Sequence, residues 1–290
     1  MPSTFRIEKI HELVVRCSTE LPSDVISALE AACQKADASG AERPVLQTML
    51  RNADEAKRTC RPVCQDTGTL LFTIRAPRGM DVPDWEEAAC EAVKMATREG
   101  VLRQNCVESL TGHNTGTNIG YGSPVFHWIF EDRSDMEMTL MLKGGGSENM
   151  GIQYSLPDTS LGAGRDLEGV RRCILDAVHR AQGMGCAPGI LGVAIGGDRA
   201  TGYEESKKQL LRKIGERSPE PALAELEQRV LDEANSLGIG PMGLGGKTTL
   251  LDVFVGWRCR LPASYFVSIS YMCWCCRRQT LRLTQEELSL

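Results

Sequence analysis

The stretch Val125-Phe126-His127-Trp128-Ile129-Phe130, followed by Glu131-Asp132-Arg133-Ser134-Asp135 and then Met136-Glu137-Met138-Thr139-Leu140-Met141-Leu142, carries a strong strand signal. Met136, Met138, Leu140 and Leu142 recur at period two, which places them on one face of a strand, and the polar residues before them read as a turn. The pair reads as an antiparallel hairpin. On its N-terminal side, Leu70-Leu71-Phe72-Thr73-Ile74 is a short buried strand, and a helix capped by Asp84, with Glu86 and Glu87 in its first turn, runs to Gly100. On its C-terminal side, Leu167, Val170, Ile174, Val178 and Ala181 form a helical stripe and Ile190 to Ile195 a strand. Leu223, Leu226, Val230 and Leu237 mark another helix, ending at Gly238, and the region from Leu250 to Leu283 is rich in strands. At the start of the chain, Ile7, Ile10, Val14 and Cys17 share one helical face, Pro22-Ser23-Asp24 starts a second helix, and residues 42–57 form a third. The expectation is an α+β fold, a mixed sheet packed with helices, in one domain over residues 1–290 with a helical N-terminal segment over 1–60. No internal repeat is visible.

The chain of 290 residues, 42% apolar and 24% charged, can bury a sizeable core. A net charge of −5, with no basic patch interleaved with aromatics, argues against a nucleic-acid partner. No apolar run reaches the ~18 residues of a membrane span, and the N-terminus lacks a signal-peptide core, so a cytoplasmic location is expected. In that compartment the 12 cysteines are not a disulfide framework. Cys17, Cys33, Cys90 and Cys173 fall among apolar helix positions and read as small buried residues.

Chemistry concentrates in polar loops. Cys64-Gln65-Asp66-Thr67-Gly68-Thr69 is too polar for a core strand, because buried polar groups need hydrogen-bond partners. Glycine-rich segments recur at Asn114-Thr115-Gly116-Thr117-Asn118, Lys143-Gly144-Gly145-Gly146-Ser147-Glu148-Asn149, Ile195-Gly196-Gly197-Asp198 and Gly240-Pro241-Met242-Gly243-Leu244-Gly245-Gly246-Lys247-Thr248-Thr249. Glycine lets backbone N–H groups approach an anion closely. The last segment is not a phosphate loop: Pro241 stands where that motif needs its first glycine, and a strand pattern follows. Several such loops suit a small polyanion such as a dicarboxylate. His113, beside the Asn114 loop, is a candidate base; His127 is expected to be packed within its strand. Cys64, Cys186 and Cys273 lie far apart and match no local zinc or ferredoxin spacing, so spacing leaves open whether they are three unrelated thiols or the ligands of one cluster.

Arg61-Pro62-Val63-Cys64-Gln65-Asp66-Thr67-Gly68-Thr69, the Asn114 to Asn118 and Lys143 to Asn149 segments, Cys186-Ala187-Pro188, Gly238-Ile239-Gly240-Pro241, Gly243-Leu244-Gly245-Gly246, and Cys273 with Arg277 four residues on occur in that order. Together they resemble the α subunit, or N-terminal domain, of the class I iron–sulfur fumarases and L-tartrate dehydratases. The resemblance implies a [4Fe–4S] cluster on Cys64, Cys186 and Cys273, with one iron open to substrate. It also implies substrate contacts from Gln65, Asp66, Arg103 and the Gly145-Gly146 backbone, with Asp66 and Arg103 catalytic. An arginine can clamp a carboxylate bidentately. Two departures stand out: Ala187-Pro188 replaces the family's proline pair, and Cys273 has Cys275 and Cys276 as companions. If Met272 to Cys276 were a strand, Cys273 and Cys275 would share a face; the interval to Arg277 favours Cys273, with Cys275 the alternate. In the family the proton-handling residue belongs to a second domain or β subunit, so the resemblance implies a β-subunit partner and an α2β2-type oligomer. Reversible hydration of fumarate to malate is the leading activity and L-tartrate dehydration the alternative. A non-catalytic iron–sulfur sensing module is the competing class.

Overall fold

The computed structural model describes residues 3–289. In chain order the elements are α1 (Thr4–Thr19), α2 (Ser23–Lys35), α3 (Glu42–Thr59), β1 (Thr69–Pro77), α4 (Val82–Arg98), β2 (Val125–Glu131), β3 (Met136–Lys143), α5 (Gly145–Glu148) and β4 (Ile152–Ser155). They continue with α6 (Leu167–Ala181), β5 (Gly189–Gly196), α7 (Arg199–Gln209), α8 (Pro221–Ser236), β6 (Leu250–Arg258), β7 (Phe266–Met272) and β8 (Arg277–Leu283). The fold is α+β and divides into two compact units, each with its own mixed sheet. The first comprises the described residues up to Pro22, Arg51–Gly145 and those from Cys275 onward; the second comprises Ser23–Leu50 and Gly146–Trp274.

In the first unit the strand order is β2-β1-β3-β8. β1 and β2, joined through α4, are parallel, as a strand–helix–strand crossover allows. β3 runs antiparallel to β1, and β8 antiparallel to β3. The hairpin expected between residues 125 and 142 therefore does not form. β1 stands between its two arms, pairing Phe72 with Phe126 on one side and with Leu140 on the other. The reason is burial. β3 is buried on both faces from Leu140 to Lys143 and needs a neighbour on each edge, whereas β2 has no fully buried residue and suits the sheet's rim. The link 132–135 spans the extra strand, since two interstrand spacings are only about 10 Å. Ile10, Val14 and Cys17 of α1 and Trp85, Ala88 and Ala92 of α4 close over Phe72, Ile74, Leu140 and Leu142. α4 begins at Val82 behind Asp81 rather than at Asp84: Pro83 fits a first helical turn, and Asp84 pairs with Arg6 instead.

In the second unit the order is β4-β7-β5-β6, with β5 and β6 parallel, β7 antiparallel to β5, and β4 antiparallel to β7. This repeats the first unit's pairing: a parallel crossover pair, a third strand on the free side of the first, then an antiparallel fourth. β4 follows β3 in sequence and β8 follows β7, so each third strand is followed by the strand that completes the other unit's sheet. Val170, Ile174 and Val178 of α6 and Leu226, Val230 and Ala234 of α8 pack with Leu191, Val193, Val253 and Val255.

α7 has no counterpart in the sequence reading, because its buried residues are Gly202, Glu205 and Ser206 rather than an apolar stripe. It lies so close to the sheet that a Cβ on Gly192 would stand 2.0 Å from the Ser206 carbonyl oxygen and one on Gly202 2.5 Å from Ser268 Oγ. The glycine-rich Ile195 to Asp198 loop is its N-terminal cap: the Asp198 carboxylate accepts the Ala200 and Thr201 N–H groups, and Thr201 Oγ1 accepts the Asp198 N–H. Among the described residues no helix is long and apolar enough to cross a membrane.

Candidate active site

The Cys64 loop joins α3 to β1 and is fastened at both ends. The Val63 N–H donates to the Ser18 carbonyl (2.9 Å) and Asn52 Nδ2 donates to the Val63 carbonyl (2.8 Å). At the other end Gly68 has φ +75°, and a Cβ there would lie 2.3 Å from the Lys143 carbonyl oxygen, so glycine alone fits. Thr67 is buried and its hydroxyl donates to the Arg103 carbonyl at 2.7 Å. The loop is thereby pinned against the segment that follows α4.

Asp66 is the centre of a hydrogen-bond cluster. Its Oδ1 accepts from Asn105 Nδ2 (2.8 Å), its Oδ2 from the Gly145 backbone N–H (2.7 Å), and its carbonyl from Arg277 Nη2 (2.6 Å). Arg277 is buried at the start of β8, where a guanidinium needs such acceptors. Gln65 and Arg103 are exposed, with Arg103 Nη1 3.5 Å from Gln65 Oε1. A hydrogen bond from Cys275 brings the Cys64 thiol down to about 6, helped by the Asp66 backbone N–H and the Arg277 charge and opposed by burial. That lowering favours the thiolate, the form that ligates metals. By contrast, burial raises Cys17 and Cys173 to about 12, which fits inert packing groups; Cys33 and Cys90 are half-buried rather than enclosed.

Cys186 and Cys273 both belong to the second unit. Cys186, at φ +56°, sits just ahead of β5, and its carbonyl accepts the Trp274 N–H at 3.2 Å. The Tyr271 ring covers this turn so closely that a Cβ on Gly185 or Gly189 would come within 2.5 Å or 2.3 Å of it. Burial raises the Tyr271 phenol, and charge at Cys273 and Cys186 raises it further. β7 stops at Met272 and β8 starts at Arg277, so Met272 to Cys276 is not a strand. Cys273 and Cys275 fall in different units, Cys275 buried beside Cys64 in the first. Among the described residues no three His, Cys, Asp or Glu side chains are grouped as ligands of a single metal ion.

Gln65, Asp66, Arg103 and Gly145 thus come together in the first unit, although the Gly145 N–H is taken by Asp66; Gly146 belongs to the second unit. His113 is exposed, and so is His127, which is not packed as expected because β2 is an edge strand. Of the residues that bond this cluster, Asn118 and Arg277 stand within quoted motifs without a role that the sequence announces, and Asn105 lies in none of them.

A family model described as fumarate hydratase (Fumerase) matches residues 7–282. The chain belongs to the fumarate hydratase family. It is 46% identical over 274 residues to a provisionally named fumarate hydratase class I of Geobacillus stearothermophilus, covering 93% of this chain and 53% of that protein. It is 37% identical over 284 residues to a provisionally named L(+)-tartrate dehydratase subunit alpha of Methanocaldococcus jannaschii, covering 95% of this chain and 98% of that one. With the L(+)-tartrate dehydratase subunit alpha of Escherichia coli it shares 34% identity over 297 residues, covering 98% and 95%. This fumarase-family chain therefore spans about half the length of the Geobacillus relative and nearly all of the tartrate dehydratase subunits.

Proposed function

We propose that this chain is the cluster-bearing part of an iron–sulfur hydro-lyase that reversibly hydrates fumarate to malate, completed by a β-subunit-like partner in an α2β2-type assembly in the cytoplasm. The observation that carries the reading is the Cys64 thiol, drawn down to about 6 on the same six-residue loop as Asp66 and Gln65 and facing Arg103. The donor set fits the cluster: Cys64, Cys186 and Cys273 are half-buried, and a metal-ligating cysteine must be deprotonated. Cys275 then acts as a hydrogen-bond donor to the Cys64 sulfur rather than as a ligand. When bound, a [4Fe–4S] cluster with one open iron supplies Lewis-acid stabilisation of substrate oxygens.

The chain's own residues do the rest. Arg103 pairs with a substrate carboxylate, which gains negative charge as a hydroxyl adds to one alkene carbon and a proton to the other. Gln65 hydrogen-bonds the same substrate. Asp66, held from both oxygens, presents a fixed carboxylate to the water or hydroxyl being transferred. The proton-handling residue is assigned to the partner.

The near-full-length match to tartrate dehydratase α subunits favours L-tartrate dehydration as a second reading. The test is anaerobic purification with cluster reconstitution, then assay on fumarate and tartrate with and without the partner chain. Iron-bound protein that is inactive alone and active with the partner is expected. Cys64→Ser, Cys186→Ser and Cys273→Ser should each lose the iron, and Cys275→Ser, which keeps a donor, should retain it. Protein that binds no iron overturns the reading, and retention in Cys273→Ser with loss in Cys275→Ser reverses the third ligand. Iron-bound protein that turns over neither substrate, with or without the partner, is a sensing module instead.

A further inference from the structure

We propose that Asn105 is a positioning residue for Asp66, locking its carboxylate in the orientation used in hydration; the proposal rests on the hydro-lyase reading above. The two carboxylate oxygens have donors from two separate chain segments. Asn105 Nδ2 holds Oδ1 from the loop after α4, and the Gly145 N–H holds Oδ2 from the turn after β3. With both oxygens engaged, rotation of the carboxylate costs two charge-assisted hydrogen bonds. Gly145 contributes through the backbone, beyond the reach of side-chain substitution. Asn105 contributes a neutral donor, which orients Asp66 without cancelling its charge.

Asn105 is itself placed by a buried amide. Asn118 is 1% exposed and sits at φ +62°, a left-handed conformation asparagine tolerates. Its Oδ1 accepts the Asn105 backbone N–H (2.7 Å), while its Nδ2 donates to the Arg103 carbonyl (2.9 Å) and to Thr97 Oγ1 (3.0 Å). One side chain thus sets the backbone on both sides of Gln104, aiming Arg103 toward Gln65 and Asn105 toward Asp66. This gives the Asn114 to Asn118 motif a use: it ends in the amide that holds the segment carrying Arg103 and Asn105.

The Asn105 side chain is exposed, so shortening it opens no cavity, and its backbone bond to Asn118 survives. In the anaerobically reconstituted holoenzyme, Asn105→Ala should lower kcat by roughly 10- to 100-fold with KM changed little, since one hydrogen bond to a charged group is removed. Asn105→Asp, which sets carboxylate against carboxylate, should lose at least as much, and Asn105→Gln should recover part of the rate. Iron content and melting temperature should stay at the wild-type level in all three. A kcat for Asn105→Ala within twofold of wild type overturns the proposal, as does a loss that follows the iron content. A second readout is independent of turnover. In the isotope-labelled chain the Asn105 side-chain amide proton should be shifted downfield and should move in Asp66→Ala. An amide resonance indifferent to Asp66 overturns the contact even in an active enzyme, whereas a responsive amide in a wild type inactive on both substrates refutes the hydro-lyase reading and, with it, the positioning role.

Discussion

The two units place a cysteine at the same point of the same topology and surround it differently. Cys64 stands just ahead of β1 and Cys186 just ahead of β5, each the first strand of a sheet with the same pairing order. Around Cys64 the neighbours are charged or strongly polar: Asp66, Asn105, Arg277 and Arg103 by way of Gln65. Around Cys186 they are a tyrosine ring laid over glycines. The second unit also closes its own glycine-rich loop. The backbone N–H groups of Lys247 and Thr248, which would cradle a phosphate in a nucleotide binder, already donate to the buried Glu42 carboxylate at 3.0 and 2.9 Å. Shared topology positions the thiols; the side chains behind them differ, charged and polar around Cys64, aromatic around Cys186.

Three substitutions probe that division. The largest effect belongs to Asp66→Ala in the first unit, expected to lower kcat by about 10²–10³-fold, as for loss of a preorganised polar group that acts on the transition state. Its denaturation midpoint should move little, because the donors released at Asn105 and Gly145 are exposed to water. Equal rates would erase the contrast. Gly189→Ala in the second unit should act on stability instead. Its Cβ would lie 2.3 Å from the Tyr271 ring, so overpacking should cost about 2–4 kcal/mol in denaturant titration, and the folded fraction should bind iron less well. Unchanged stability would mean that the ring is not a fixed mount. Glu42→Ala should cost about 2–3 kcal/mol by orphaning two backbone donors while iron content and kcat per folded molecule stay constant. A fall in kcat there would draw the second unit's loop into the chemistry.

Much of the fold is legible from periodicity, and the misses have physical causes. Of the stripe Leu167, Val170, Ile174, Val178 and Ala181, all but Leu167 in the first turn are buried as the spacing requires. Alternation identifies β2 and β3 as strands but not as partners, so the hairpin it suggests does not form. The crossover through α4 inserts β1 between them, a contact set by β3's need for burial on both edges. α7 was invisible because it packs on the sheet through Gly202 and Ser206, where an apolar stripe would not fit. At the site, Cys64, Gln65 and Asp66 stood out because a run so polar cannot be buried without partners. The partners themselves did not. Asn105 lies 39 residues from Asp66 and Arg277 lies 211 away, and nothing in an isolated amide or guanidinium announces its acceptor.

The residue order alone determined the family, the glycine turns and the helices and strands whose apolar residues repeat at a fixed period, because those signals are local. Tertiary structure alone decided which strand lies beside which, that Cys275 rather than Cys273 donates to Cys64, and that Asp66 is gripped from two sides. Those choices depend on distances between segments far apart in the chain. Only packing, through burial and the need to satisfy every enclosed polar group, fixes such distances.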